Sequence, residues 1–406
     1  MLNAQGVREL AYIVAIDEIR PIEGYDRVEY ARVGGWWIIV RKDQFKVGDL
    51  AIYIEVDAKV PEKEPFMFLE KRHFKVKTLK MCKVISQGLL MSPEDFGWIM
   101  SGIAENRFIT WGNGTEALDK GDFVTELLGI TYAEAEDNKR KAPSVDKYKK
   151  MAQRNGKLFA KQPFRWLMKR DWGKKLLFIF FGKKKDKKGG WPAWVVKTDE
   201  ERIQNMPWMF PGGDEEWIET EKIDGTSTTF TMKGFGKKRE YYVCSRNVVF
   251  DKPDKGCYYE TNVYTEMAEK YKAEEVLDAI LGLYKGELEF VTIQGETYGE
   301  GIQKRDYSLK GHDFMAFNLI FGYKNGERKR FNPIEMTEFL TQYKIPCVPI
   351  LNEHAKVPAT CEEILADATG ISKVDGKERE GKVYRSYDGT RSFKAVSNEF
   401  LLKYHN

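Results

Sequence analysis

Cysteine and histidine are scarce in this 406-residue chain, with five of the first and four of the second. The cysteines (Cys82, Cys244, Cys257, Cys347 and Cys361) are scattered without a CxxC pair. That argues against a zinc module and a disulfide scaffold and fits a reducing intracellular compartment such as the cytoplasm. No histidine is placed for Ser/His or Cys/His hydrolase chemistry. Long apolar runs are missing as well: the purely apolar stretch Leu176–Phe181 has six residues, against the ~18–20 that span a bilayer. The opening MLNAQGVREL has no apolar signal core, so secretion is not expected. No GxxxxGK[ST] string occurs, which argues against a P-loop kinase or helicase. A net charge of +4 says little about partners. What is present is a 42% hydrophobic, 32% charged chain able to build globular cores, long enough for two or three domains at roughly 150 residues each.

The distribution of charge is more informative than its sum. Between Lys139 and Lys188 stand 19 Lys or Arg against Asp146, Asp171 and Asp186; this block carries +16 and leaves −12 for the rest. It is interleaved with Tyr148, Phe159, Phe164, Trp166, Trp172 and further aromatics. A solvated linker, a phosphate-seeking surface and a membrane-surface segment all remain open for it. Upstream, β-prone runs at Leu10–Ile19, Arg27–Val33, Trp36–Arg41 and Leu50–Glu55 are separated by turn residues, Pro21 to Asp26 and Gly34-Gly35 among them. A further strand pair is expected at Lys75–Ser86 and Gly88–Met91, whose first member alternates basic and apolar residues from Phe74 to Lys80. Five closely spaced strands without room for crossover helices predict a small barrel. From Gly190 onward the pattern is mixed. Thr198-Asp199-Glu200-Glu201 reads as a capping box opening a helix, and apolar residues at helical spacing predict another over Asn262–Leu281. Strand-like runs at Ser227–Met232, Tyr241–Cys244, Leu288–Ile293, Phe314–Phe321 and Val383–Ser386 give an α+β domain on antiparallel sheets.

Chemistry centres on Glu221-Lys222-Ile223-Asp224-Gly225, in isolation an ordinary surface turn. Four polar clusters follow it at the edges of apolar strands. They are Ser245-Arg246-Asn247, Gly295-Glu296-Thr297-Tyr298-Gly299 with Gly301-Ile302-Gln303-Lys304, Glu380-Gly381-Lys382-Val383, and Ser392-Phe393-Lys394. This ordered series resembles the motifs of the covalent nucleotidyltransferase superfamily: KxDG with its nucleophile, EGxV, and a basic fifth motif. The GIQK run and Phe314–Leu319 look specifically like ATP-dependent RNA ligases. The KTDEERIQN lead-in and the barrel resemble the Naegleria/Deinococcus-type RNA ligases with an N-terminal OB domain.

The resemblance implies an OB-like barrel over 1–128, a basic linker or insertion over 129–190, and an adenylyltransferase domain of ATP-grasp-like antiparallel sheets over 191–406. It implies joining of 3′-OH and 5′-phosphate RNA ends, free or in an RNA-containing duplex, in repair or nick sealing. The route is attack of Lys222 on ATP to give lysyl-AMP and then an adenylylated 5′-end, with Mg²⁺ or Mn²⁺. Asp224, Glu296 and Glu380 are the carboxylates for the ion. Glu221 would meet the adenine edge, Arg246 the ribose or an incoming phosphate, Glu296 the ribose, and Lys394 the α-phosphate, with Asn247 a further nucleotide-binding candidate. Phe317 either stacks on adenine or is a core aromatic, and Lys382 either reaches the nucleotide or is only a surface partner. The sequence departs from the common Lys-x-Lys fifth motif at Ser392, which leaves Lys304, Arg391 or a basic-insertion residue to compensate. A capping-type guanylyltransferase and a non-catalytic RNA-binding protein are the alternatives. No membrane is expected, a monomer is, and the barrel is expected to position RNA without taking part in the reaction with ATP.

Overall fold

The computed structural model describes residues 1–3, 7–101, 108–111, 116–133, 191–197, 199–209, 213–250 and 261–404, with isolated positions within 161–177 and at 257 and 259. The basic block at 139–188 falls almost wholly outside them.

The N-terminal unit is built from β1 (Ala11–Ala15), β2 (Glu18–Ile22), β3 (Tyr25–Val33), β4 (Trp36–Arg41), β5 (Leu50–Ile54), β6 (Ala58–Lys59), β7 (Thr78–Met81), β8 (Val84–Gln87) and β9 (Leu89–Met91). They pair as β1-β5-β9, β2-β3-β4 and the hairpin β7-β8. The wholly apolar β5 is central, and its period of two feeds two cores. Leu50, Ile52 and Ile54 join Leu10, Ile13 and Phe66, while Ala51 and Tyr53 join Tyr12, Trp36 and Ile38. Two details depart from the sequence reading. Pro21, read as a break, lies within β2; that strand is an edge, where a missing N–H costs no ladder bond. Lys75–Ser86, read as one strand, instead contains a hairpin turned by Cys82-Lys83, with φ of 49° and 65°. The turn is of the left-handed type that glycine or asparagine usually announces.

A small meander of β10 (Ile99–Ser101), β11 (Phe108–Trp111) and β12 (Glu116–Leu118) and a short helix α1 (Thr125–Leu128) follow. Then β13 (Thr131–Tyr132) pairs with β6. That pairing ties Thr131 and Tyr132 to the N-terminal unit.

The C-terminal unit begins with β14 (Glu201–Arg202), β15 (Glu216–Lys222), β16 (Thr226–Lys233), β17 (Glu240–Ser245) and β18 (Val249–Phe250). After α2 (Val263–Lys270) and α3 (Ala273–Leu283) come β19 (Leu288–Gly299), β20 (His312–Tyr323), β21 (Arg328–Arg330), α4 (Pro333–Thr341) and β22 (Ile350–Lys356). The chain closes with α5 (Cys361–Ala368), β23 (Gly381–Arg385), β24 (Ser392–Val396) and α6 (Asn398–Tyr404). Two sheets result, ordered β14-β24-β23-β15-β22 and β18-β17-β16-β19-β20-β21. Helices α2, α3 and α4 bury Val263, Met267, Leu277, Ile280, Met336 and Leu340 against the larger sheet, and α5 covers the smaller one.

No helix starts at residues 199–201. Glu201 and Arg202 form β14, parallel to β24, because Glu200 is held by Arg330, Arg385 and Ser392 instead of by helix N–H groups. The helix expected over Asn262–Leu281 is two. Asn262 caps the first through the Thr265 N–H at 3.3 Å, and Lys272 at φ 47° separates them. Both pieces face the same core, so apolar periodicity alone conceals the break. Among the described residues no helix is long and apolar enough to cross a membrane.

Barrel and C-terminal unit are joined by polar contacts around Asn205. Its Oδ1 accepts from Tyr12 Oη at 2.9 Å and Trp36 Nε1 at 2.6 Å, and its Nδ2 donates to Glu55 and Glu201, each at 2.7 Å. Nearby, Trp37 Nε1 donates to Glu362 at 2.8 Å and the Gly35 N–H to the Gln204 carbonyl at 2.8 Å.

Candidate active site

Ladder register puts the motif residues together. On the smaller sheet Lys222 lies opposite Gly381, next to Glu380, and Val383 lies opposite Lys394. On the larger sheet Glu296 lies opposite Ser227. The turn Ile223–Gly225 carries the chain from β15 to β16, so Lys222 stands where the two sheets meet. Gly225 has to be glycine, since a Cβ there would come within 2.3 Å of the Thr297 carbonyl oxygen.

Between the sheets opens a cleft of about 490 Å³, a volume within the usual range for a nucleotide-sized ligand. Its walls include Glu221, Lys222, Asp224, Arg246, Asn247, Glu296, Lys304, Phe317, Glu380 and Lys394. Nine of the ten residues singled out from sequence (Lys304 was named only as a substitute) thus face one space. Lys382 does not. Its ammonium donates to Glu219 at 2.8 Å and to Asp367 on α5, inside a buried cluster. Neighbours along a strand alternate faces, and Val383 and Arg385 take the cleft side of β23. The expectation that Lys382 reaches the nucleotide is corrected: it ties β15, β23 and α5 together.

Lys222 Nζ donates to Glu380 Oε2 at 2.6 Å. Burial works against its charge, but Glu380, Glu296 and Asp224 prevail and hold it above the ordinary lysine range. At neutral pH Lys222 is therefore an ammonium without a free electron pair. Lys394 is the opposite case. Burial, reinforced by Arg8, Arg202 and Lys222 and opposed by Asp199, brings it down to about 7. Between pH 7 and ~10.4 the unfolded chain binds the extra proton, so folding stability rises with pH across that window. A bound polyphosphate would draw the proton back. ATP binding at pH 8 is expected to take up ~0.5–0.9 proton, falling towards zero at pH 6, as measured by calorimetry in buffers of different ionisation enthalpy. Lys394→Met should abolish the uptake.

Glu221 is buried, with Oε2 accepting from the Lys373 backbone N–H at 2.8 Å and Oε1 lacking a hydrogen-bond partner among the described residues. An unsatisfied buried acceptor is costly and suits an amine donor such as the edge of a purine. Phe317 lies half-buried on the wall among Ile223, Tyr298 and Val348. Its carbonyl accepts from Arg385 Nη1 at 2.7 Å, which cross-links the two sheets. Lys197 donates to Asn247 at 3.3 Å.

One end of the cleft is cationic in a way the motifs do not announce. Arg8 and Arg202 line it with Asp57 and Tyr132. Arg202 donates to Asp57 at 3.0 Å, while its Nε and Nη1 are buried without partners among the described residues. The Tyr132 ring meets two guanidiniums, Arg246 at 4.6 Å and Arg8 at 5.7 Å from its centroid. Arg246 also pairs with Asp199; burial pushes that carboxyl up, but Arg246, Lys394 and Arg8 outweigh it and hold it low. Of the substitutes foreseen for the missing fifth-motif lysine, Lys304 lines the cleft, whereas Arg391 pairs with Glu215 outside it. Ser392 is tied into the Glu200 network. The described residues hold no group of three acidic, histidine or cysteine side chains at metal-ligand spacing, so Asp224, Glu296 and Glu380 share the cleft without closing on a common point.

An RNA ligase family model matches residues 215–405, and an OB-fold domain model matches residues 10–93. No curated protein matches the sequence significantly. Among solved structures, Naegleria gruberi RNA ligase with PPi is 27% identical at a TM-score of 0.68, covering 97% of this chain and 98% of that one. A mutant of that enzyme with ATP and Mn gives 27% identity and 0.68 over 98% and 100% of the two chains. A mutant with AMP and Mn gives 26% and 0.67 over 97% and 98%.

Proposed function

The chain belongs to the RNA ligase family, as an ATP-dependent ligase with an N-terminal OB-fold domain and a divalent-metal requirement, and on that premise we propose roles for its residues and ends for its substrate. The observation that carries the assignment is Lys222 Nζ at 2.6 Å from Glu380 in the nucleotide-sized cleft between the sheets.

Lys222 is the nucleophile towards the α-phosphorus of ATP, with pyrophosphate leaving and AMP held on Nζ. Glu221 accepts a hydrogen bond from the adenine edge, Phe317 lies against the base, and Glu296, Arg246 and Asn247 hold the ribose side. The polyphosphate points towards Lys394, Arg202 and Arg8, where cations outnumber acids. The carboxylates Asp224, Glu296 and Glu380 are hard oxygen donors suited to a divalent ion held partly through its waters. When bound, such an ion lowers the Lys222 pKa and offsets phosphate charge. Lys222 must leave Glu380 to attack, so the resting ion pair keeps the amine unreactive until ATP and metal arrive together. The adenylylated 5′-phosphate is then attacked by a 3′-hydroxyl, and AMP leaves.

The substrate is RNA, and 3′-OH/5′-phosphate junctions fit this chemistry. We place the RNA-binding barrel at 1–133 and the ligase domain from 191, since Trp194 already packs on Tyr242 and Phe290. Five free cysteines among the described residues support a reducing compartment.

Incubation with labelled ATP or GTP and metal, then denaturing electrophoresis, tests the reading. Label from ATP is expected; label from GTP alone would indicate a capping-type enzyme, and no label a non-catalytic RNA-binding protein. Glu380→Ala is expected to slow both adenylylation and sealing of pre-adenylylated RNA by ~10²-fold, because negative charge gathers beside the same carboxylates in each step. Near-wild-type rates in both assays would remove Glu380 from the catalytic set.

A further inference from the structure

The turn that carries the nucleophile is held from outside both of its sheets. The segment 301–308, between β19 and β20, contains three non-glycine residues in the left-handed region: Gln303 at φ 54°, Tyr307 at 54° and Ser308 at 55°. Such residues are costly and persist where the surroundings over-determine them. Here the surroundings are definite. Ile302 is fully buried in the core of the larger sheet. Arg305 is buried, pairs with the equally buried Asp375, and lays its guanidinium 3.9 Å from the Tyr307 ring centroid. The other edge of Tyr307 meets Tyr298 at 5.0 Å.

This strained segment delivers two polar atoms to the nucleophile turn. Tyr307 Oη accepts the Asp224 backbone N–H at 2.7 Å, and Gln303 Nε2 donates to the Gly225 carbonyl at 3.0 Å. Neither group touches Lys222. Together they fix the two residues that set the direction in which β15 ends, and hence where Lys222 Nζ lies relative to Glu380. In-line attack tolerates little error: a misplacement of about 1 Å can cost ~10²-fold. We propose that Tyr307 and Gln303 are positioning residues for lysine adenylylation, with the Arg305–Asp375 pair bracing Tyr307 in its left-handed conformation.

The inference rests on Lys222 being the nucleophile, and it makes a step-specific claim. Sealing of RNA already carrying AMP does not use Lys222 as a nucleophile, so loss of positioning should fall on the first step alone. Tyr307→Phe keeps the ring and its packing and removes only the acceptor. Single-turnover AMP transfer is expected to fall ~10–100-fold in the full-length variant. ATP affinity and the sealing of pre-adenylylated RNA should stay within about twofold of wild type. Gln303→Ala alters an exposed side chain that the core does not need, and a smaller fall of ~3–10-fold confined to the same step is expected. A wild-type transfer rate in Tyr307→Phe would overturn the proposal, as would equal losses in both steps accompanied by a lowered Tm, since that pattern marks a merely structural tyrosine. If the wild-type chain itself takes no AMP from ATP, the parent assignment fails instead, and the two failures are told apart in one gel.

Discussion

Lys222→Ala is expected to form no covalent AMP from ATP, a loss of at least ~10⁴-fold, because no other group among the described residues of the cleft offers a nitrogen in the place of Nζ. Lys304 and Lys394 also line the cleft, but Lys394 stands on β24, separated from β15 by β23 and level with Thr220 rather than with Lys222. Transfer to either would require the α-phosphorus to leave the Glu221–Phe317 side where the base is proposed to sit. Sealing of chemically pre-adenylylated RNA should persist within ~10-fold of wild type, since that step needs the carboxylates and Lys394 but not the nucleophile. The substitution also releases Glu380 from its 2.6 Å partner and leaves a buried carboxylate without that cation. A modest fall in Tm is therefore expected, which metal should partly restore. An acid-labile AMP adduct on the variant would show that Lys222 is wrongly assigned.

The motifs are legible because each lies in or beside a β-strand with a fixed register. Lys222, Glu380 and Lys394 come together as β15, β23 and β24 pair in the smaller sheet, Glu296 joins them through the β16–β19 pairing of the larger one, and the runs that form those strands are apolar enough to read directly. Lys382 was misplaced for the same reason it was noticed. It belongs to the Glu-Gly-Lys-Val run, yet strand alternation sends it to the α5 side, where Glu219 and Asp367 wait. Asp199 and Glu200 lie inside the Thr198–Glu201 run that reads as a capping box, and carry no signal of their own. Only the fold reveals Arg246, Arg330 and Arg385, from three different strands or loops, converging on them. Tyr307 carried no local signal at all, since its role depends on a left-handed backbone and on Asp224, more than eighty positions away.

The least legible feature is the barrel's share in the cleft, and it leads to a different expected result for the reaction with ATP. From sequence the barrel precedes every motif and should have been dispensable for reaction with ATP. In the folded chain Arg8, Asp57 and Tyr132 are cleft walls. Arg8 itself is held by Glu55, donating through Nε at 3.1 Å and Nη2 at 3.0 Å. Glu55 is fully buried; burial pushes its carboxyl up, but the N-terminal ammonium and Arg8 outweigh this and hold it at about 2. Removing residues 1–190 would strip Arg202 of Asp57 and Asn205 of Tyr12, Trp36 and Glu55, and would open the cationic end to water. Charges that act on phosphate in a water-poor cleft are screened once it is exposed. The truncated chain is therefore expected to lose AMP transfer by ~10³-fold or more, through at least two cationic contacts at up to ~10²-fold each. Because truncation also uncovers apolar surface, Arg8→Ala in the full-length protein is the cleaner measurement. It should lower AMP transfer ~10–100-fold and weaken ATP binding, while sealing of pre-adenylylated RNA, from which pyrophosphate has already gone, falls by less. Full-rate adenylylation by the truncated domain would return the barrel to RNA binding alone. A normal rate in Arg8→Ala with a dead but folded truncation would instead shift the barrel's contribution from Arg8 to the bracing of Arg202 by Asp57 and of Asn205 by the barrel core.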